Sequence, residues 1–332
     1  MRVVVTDENV GPYLRDSAEL AARSVELVPL PFADRPRLLA GLGRADACVS
    51  VHFDAECAGA IGPGFRFLQI TAAGTDHVPL DRLPGRVAVA NAYGHGRSIA
   101  EHVLMVTLAA RRQLLWRDAE LRQGRWRTRM TDPTAPVFTT LPGTVVGIIG
   151  LGHIGRAVAR LCRAAGMRPI GVRRSARGRD TADPDLEWTD GMAALDELTD
   201  ACDVLVIACP LTEETRGIID AARLRRLGAR GTLVNVGRGA VVDERALYEA
   251  LRDGTIAAAA LDVWTTPATA PPGTAAPSPH PFTELDNVIV TPHCSGTADN
   301  TYQDRAAEVI ENLLRRLDGA DPRNLVQGGA PR

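Results

Sequence analysis

Val145-Val146-Gly147-Ile148-Ile149-Gly150-Leu151-Gly152-His153-Ile154-Gly155 is the stretch whose reading decides the fold of this chain. Its first five residues read as a buried β-strand, and three glycines follow in the spacing GxGxxG. In that setting the first glycine permits a tight strand-to-helix turn. The second lets the backbone approach a pyrophosphate, and the third allows close packing of helix on strand. Residues 154–165 read as the helix, whose N-terminal amides would face phosphate oxygens. Three spaced glycines alone are a weak signal. Set between an apolar strand, an Ala- and Arg-rich helix and a second strand, they point to a nicotinamide dinucleotide site made by Gly150, Gly152, His153, Ile154 and Gly155.

The end of the next strand bears on cofactor choice. An acidic residue there would hold the ribose 2′-hydroxyl of NAD. The segment reads Pro169-Ile170-Gly171-Val172-Arg173-Arg174-Ser175, with no carboxylate before Asp180. Two permanently charged, fork-shaped guanidinium groups suit a 2′-phosphate dianion. NADP is therefore the expected cofactor, with Arg173, Arg174 and Ser175 as contacts. NAD stays possible if the arginines only stack on the adenine.

Working outward, the βα rhythm extends in both directions. Before the glycine turn, 3–5, 48–51, Phe67–Ile70 and 87–89 read as strands, with helices at 11–22 and 35–43. A long amphipathic helix is expected from Ser98 to about 122, with Ser98 as N-cap and Glu101 completing a capping box. After the turn, Arg168–Val172, Val204–Ile207, Thr232–Asn235, 257–263 and 288–291 continue the strand series. Six strands with helices between them predict a doubly wound sheet. Residues 265–281 are rich in Thr, Pro, Ala and Gly and read as irregular, and 299–318 read as a closing amphipathic helix.

With 332 residues, 45% hydrophobic, the chain has material for two domains. The net charge of −2 gives no electrostatic case for nucleic acid or an anionic membrane. No apolar run approaches the roughly 20 residues of a membrane span. The start, Met1-Arg2-Val3-Val4-Val5-Thr6-Asp7, reads as a strand rather than a secretion signal, so a cytoplasmic protein is expected. Its six cysteines form no CxxC pair, so no metal site is suggested, and all 38 basic residues are arginine. The absence of lysine excludes Schiff-base catalysis and a standard Walker A phosphate loop.

Several separated blocks resemble the D-isomer-specific 2-hydroxyacid dehydrogenases, over nearly the whole chain. They are Ser98-Ile99-Ala100-Glu101-His102, Leu141-Pro142-Gly143-Thr144, Pro210-Leu211-Thr212-Glu213-Glu214-Thr215-Arg216-Gly217, Asn235-Val236-Gly237-Arg238-Gly239, Leu261-Asp262-Val263-Trp264 and Thr291-Pro292-His293. The resemblance implies an α/β protein of two doubly wound parallel-sheet domains. A Rossmann cofactor domain (98–297) would be inserted into a flavodoxin-like substrate domain (1–97 with 298–332), the active site lying in the cleft. It implies that Arg238 clamps the substrate carboxylate and carbonyl oxygen, and that His293 is the acid/base. Ala73, Gly74 and Thr75, next to Asp76, would present amides to the carboxylate. Pro210, Thr215, Val236 and Asp262 would join the cofactor contacts, Asp262 facing the nicotinamide carboxamide. A homodimer through the cofactor domain is implied as well.

Two departures stand out. The family's histidine is paired with a glutamate five residues after the aspartate of the LDV block; here that position is Pro267, and the next carboxylate is Glu284. A carboxylate beside an imidazolium keeps it protonated. Without one, ketoacid reduction is expected to weaken at neutral pH and to gain at lower pH. The second departure is His95, where the family has an asparagine near the substrate, with Arg97 close by. The leading expectation is a reductase of a small 2-oxo acid. Oxidation of another small oxyanion, of formate or phosphonate type, and a non-catalytic dinucleotide-binding regulator remain open alternatives.

Overall fold

The computed structural model describes residues 1–176, 178–266 and 277–328. The chain divides into two compact units, one made of Met1–His95 with Thr297–Arg332 and the other of Gly96–Gly296.

In the first unit, β1 (Arg2–Val5), β2 (Glu26–Pro29), β3 (Ala47–Ser50), β4 (Phe67–Ile70) and β5 (Ala88–Ala90) form a parallel sheet in the order 2-1-3-4-5. This is the flavodoxin-like order. Successive side chains point to opposite faces, and both faces are covered. Val4, Cys48, Leu68 and Val89 pack with Leu38, Leu42 and Phe65. Val3, Val5, Val49 and Phe67 pack with Leu14, Leu20, Val309 and Leu313. Strands buried on both sides must be apolar at nearly every position, and so they stand out in the sequence.

The second unit holds β6 (Val145–Ile149), β7 (Arg168–Val172), β8 (Trp188–Asp190), β9 (Val204–Ile207), β10 (Thr232–Asn235), β11 (Ala258–Leu261) and β12 (Val288–Val290). Their order is 8-7-6-9-10-11-12, the dinucleotide-fold order with one further strand. The strand order reverses at β6, whose neighbours β7 and β9 both pair with it in parallel. Val146, Ile148, Val204 and Val206 meet the helices Gly96–Arg111 and His153–Ala164 on one face. Ile149, Val172, Leu205 and Ile207 meet Leu198, Leu224 and Leu247 on the other. A last strand, β13 (Leu325–Gln327), returns antiparallel on β5.

The expected strands form, while β2, β8 and β13 are additions. All three lie at sheet edges. An edge strand has one neighbour and less cover, so its apolar pattern is weak, and β2 is exposed or half-buried throughout. The segment 11–22 is two helices, Gly11–Arg15 and Ala18–Ala22, because Ser17 caps the second by accepting from the Leu20 amide. The long helix also differs. It starts at Gly96, ends at Arg111, and resumes at Leu114 after Gln113 takes a left-handed φ of 53°. Ser98 is therefore inside the helix rather than its cap, and its hydroxyl donates to the Ser295 carbonyl at 2.7 Å.

Cys48, Cys57, Cys162, Cys202 and Cys209 are buried and Cys294 is exposed. Among the described residues no group of three or more His, Cys, Asp or Glu side chains can hold a metal. No described helix is long and apolar enough to cross a membrane.

Candidate active site

The glycine turn joins β6 to the helix His153–Ala164, at the point where the strand order reverses. Open α/β sheets bind ligands outside the carboxyl ends of their strands at such points. Gly150 has φ 94°, and a Cβ there would sit 2.8 Å from the Cys209 backbone. A Cβ on Gly155 would collide with the Gly150 carbonyl oxygen. The protein's own packing thus demands both glycines. Gly152 is different: a Cβ there would meet no protein atom within 4 Å. Its bareness leaves open space in front of the helix N-terminus, as a pyrophosphate requires. His153 and Ile154 form the first turn of that helix, His153 exposed and Ile154 half-buried.

At the tip of β7, Val172 is fully buried. The Arg173 amide donates to the Asp190 carbonyl at 3.0 Å, and the Arg173 Nε is buried without a hydrogen-bond partner. Arg174 and Ser175 are exposed beside it. Arg173, Arg174 and Ser175 put donors at this strand end that would meet the adenosine ribose of a dinucleotide, with Asp190 beside Val172 on the neighbouring strand. The loop after β9 is knitted by Thr215, whose hydroxyl donates to the Pro210 carbonyl at 2.8 Å and accepts from the Thr212 amide at 2.8 Å. Thr215 shapes this loop and Pro210 is presented on it, exposed.

Arg238 follows β10. The Asn235 side chain explains the local sequence: its Nδ2 donates to the Arg238 carbonyl at 3.0 Å and its Oδ1 accepts from the Gly237 amide at 3.1 Å. Val236 is buried beneath. The Arg238 Nη1 donates to the Gly237 carbonyl at 2.9 Å, and the side chain is half-buried. Gly239 must be bare because a Cβ would strike the backbone of Trp264.

His293 lies just past β12, exposed, with a left-handed φ of 58°. Such a conformation needs outside support in a residue with a Cβ. Asp262, at the end of β11 and buried, supplies it. Its Oδ1 accepts from the Thr291 hydroxyl at 2.6 Å and the Cys294 amide at 2.9 Å, and its Oδ2 accepts from the Ser295 amide at 3.0 Å. Burial pushes the Asp262 carboxyl up, but the bonds from Ser295, Thr291 and Cys294 outweigh it and hold the group below the usual carboxylate range. Trp264 Nε1 donates to the Thr291 carbonyl at 3.0 Å. With Ser98 on Ser295, the histidine loop is tied from three sides. His102 is close enough to feel the Asp262 charge, although burial still lowers its pKa.

The sequence does not announce the loop-holding roles of Asp262 and Ser98. The only signal is one carboxylate in the apolar run 257–263, since a buried charge demands donors. Pro267 lies outside the described residues. Glu284 is exposed in the turn Phe282–Glu284, and no described carboxylate forms an ion pair with His293.

In the first unit, Ala73, Gly74 and Thr75 follow β4 and are half-buried. Asn91, just past β5, donates from Nδ2 to the Ala73 carbonyl at 2.5 Å. His95 is buried, with Nδ1 3.1 Å from the Arg305 Nη2. Each unit therefore gathers its candidate residues at the carboxyl ends of its own strands. In the second unit these are the glycine turn, Arg238, Asp262 and His293. In the first they are Ala73–Thr75 and His95.

Comparison with known proteins gives the chain a family and solved relatives of the same fold. The family model described as D-isomer specific 2-hydroxyacid dehydrogenase, NAD binding domain, matches residues 104–295. The chain is 32% identical over 301 residues to a glyoxylate reductase of Thermofilum pendens, covering 88% of this chain and 84% of that protein. A solved structure of a Thermus thermophilus protein superposes with a TM-score of 0.78 at 31% identity, covering 98% of this chain and all of that one. An NADPH-dependent glyoxylate/hydroxypyruvate reductase from Sinorhizobium meliloti, solved with citrate, gives a TM-score of 0.77 at 26% identity, over 98% of this chain and 97% of its own.

Proposed function

Because the chain belongs to the D-isomer-specific 2-hydroxyacid dehydrogenases, we propose that it reduces a small 2-oxo acid to the 2-hydroxy acid with NADPH. The carrying observation is the pair Arg238 and His293 at the carboxyl ends of two strands of the cofactor sheet, with the histidine loop pinned on Asp262. Cofactor, 2-oxo acid and one proton give the oxidised cofactor and the 2-hydroxy acid.

When bound, the nicotinamide supplies the hydride. Gly150, Gly152, His153, Ile154 and Gly155 would hold its pyrophosphate, Arg173, Arg174 and Ser175 its 2′-phosphate, and Pro210 and Val236 would line its remaining length. Arg238 binds the substrate carboxylate and polarises the carbonyl oxygen, which gains negative charge as the carbon is reduced. The amides of Ala73, Gly74 and Thr75 are assigned to the carboxylate. His293 gives its proton to the carbonyl oxygen. Asp262 fixes where that ring stands, and this is a positioning role whether or not its carboxylate also meets the carboxamide.

The test is NADPH consumption with glyoxylate, hydroxypyruvate and phenylpyruvate, in the wild type and in Arg238→Ala. We expect turnover of at least one oxoacid, and its loss by at least ~100-fold in the variant while NADPH still binds. Tight NADPH binding with no turnover of any oxoacid sinks the reductase reading. One observation favours a second reading: no described carboxylate pairs with His293. Oxidation of formate to carbon dioxide passes only a hydride and needs no proton relay, whereas a P–H phosphonate would take its oxygen from water and still need a base; production of NADPH from either substrate would displace the first reading.

A second copy of the chain is the proposed partner. In the cofactor unit Met105, Leu108, Leu114, Leu115, Leu121, Trp126, Met130 and Val137 are exposed, a concentration of large apolar side chains that water alone does not favour.

A further inference from the structure

Arg305 stands on the helix Asp299–Leu317, in the unit that carries Ala73–Thr75. Burial lowers the pKa of its guanidinium, opposed by the more distant charges of Asp7, Tyr302 and Glu308. Among the described residues no carboxylate closes an ion pair with it. The two nearby carboxylates are engaged elsewhere. Asp7 accepts from the Thr71 hydroxyl at 2.5 Å and from the Asn9 and Val10 amides at 2.9 and 3.2 Å. Glu308 accepts from the Tyr93 amide at 2.8 Å and from the Asn324 side chain.

What Arg305 does have is one bond from Nη2 to the His95 Nδ1 at 3.1 Å, and the Tyr302 ring 6.0 Å from its Cζ. Its Nε is buried with no partner. The side chain is half-buried, its neighbouring carboxylates are committed to other donors, and an orphaned buried donor calls for an explanation. The surroundings say where an anion would come from. Arg305 packs against the chain just past β5, so closely that a Cβ on Gly94 would come within 2.9 Å of its Cγ. Asn91 in that same segment bonds the Ala73 carbonyl, and Thr71 just past β4 bonds Asp7. The guanidinium thus stands at the carboxyl ends of β1, β4 and β5, where an open parallel sheet receives its ligand.

We propose that Arg305, oriented by His95, is a second anion-binding group of the substrate site and selects 2-oxo acids carrying a terminal carboxylate or phosphate. Within this unit the Ala73–Thr75 amides take the carboxylate next to the carbonyl, and Arg305 takes the far oxyanion through its planar fork. This rests on the reductase reading, so the experiment separates the two.

The kcat/KM of the wild-type enzyme with NADPH is compared for a four-carbon 2-oxodicarboxylate, a 2-oxo acid bearing a terminal phosphate, and 2-oxobutyrate. At least one dianion is expected to exceed 2-oxobutyrate by tenfold or more, and the better dianion identifies the natural oxyanion. Arg305→Gln is expected to erase that preference through KM, with kcat within about threefold and NADPH affinity unchanged. A merely structural arginine would depress all substrates alike. Equal kcat/KM for dianions and monoanion in the wild type overturns the proposal without any variant, as does a preference that survives in Arg305→Gln. Calorimetric titration of succinate and of inorganic phosphate covers the case of no turnover. Binding that is lost in the variant keeps the anion site and rejects the reductase; no binding to the wild type rejects the site.

Discussion

Arg173 and Asp262 show how far a single residue can be read. Arg173 follows a buried valine at the strand tip and keeps a buried Nε without a partner. A charge-assisted hydrogen bond is worth about 1.5–3 kcal/mol. Arg173→Ala is therefore expected to weaken NADPH by roughly 10- to 100-fold and NADH far less. Equal losses, measured by fluorescence titration, refute recognition of the 2′-phosphate. Asp262 is a different case, because its partners come from a loop some thirty residues later. Its carboxyl is held below the usual range when folded. The stability it supplies is then complete above the unfolded carboxylate value of about 4, and is lost as the pH falls through the depressed folded value. Asp262→Asn should lower stability at pH 7 by about 2–4 kcal/mol, since one buried amide loses its acceptor and faces a donor. It should also flatten the acid limb of the stability curve. Urea unfolding across pH 2–7 reads both, and an unchanged acid limb counts against this role.

The glycine turn carries its meaning at the scale of an element. The three glycines look alike in the sequence, yet only two are demanded by the protein's own atoms. Gly155→Ala must push the helix off the strand and is expected to cost several kcal/mol of the roughly 5–15 that hold a domain together. Gly152→Ala enters open space and should leave the melting temperature within about 2 °C, by a surface substitution's usual small effect. It should nevertheless weaken NADPH by tenfold or more. A large loss of stability in Gly152→Ala would show that its bareness serves packing instead. The same scale explains what the sequence did and did not reveal. Central strands such as Val145–Ile149 and Val204–Ile207 are covered on both faces and read as apolar runs. Edge strands such as Glu26–Pro29 and Leu325–Gln327 lack that cover and show no such run. The helix break at Gln113 left no signal, because a left-handed residue with a side chain has no distinctive spelling.

For the whole molecule, the exposed apolar side chains of the cofactor unit are the feature that demands an occupant. Leu114 and Leu115 are each 56% exposed and Trp126 is 77% exposed. We expect a dimer by light scattering, and a monomer when Leu114→Glu and Leu115→Glu are combined. A monomeric wild type at micromolar concentration removes the second copy as partner.

By itself the sequence determined the two doubly wound sheets, the family, the dinucleotide turn and the positions of Arg238 and His293. Those features depend on local pattern: apolar runs of strand length, glycines at fixed spacing, short blocks kept together along the chain. Only the tertiary structure decided that Asp262 and Ser98 hold the His293 loop, that Gly152 alone among the turn glycines faces open space, and that Arg305 meets His95 from 210 positions away. Each of these depends on which residues, far apart in the chain, come to stand side by side. That is selected by the folded packing, and no residue type at either end announces its partner.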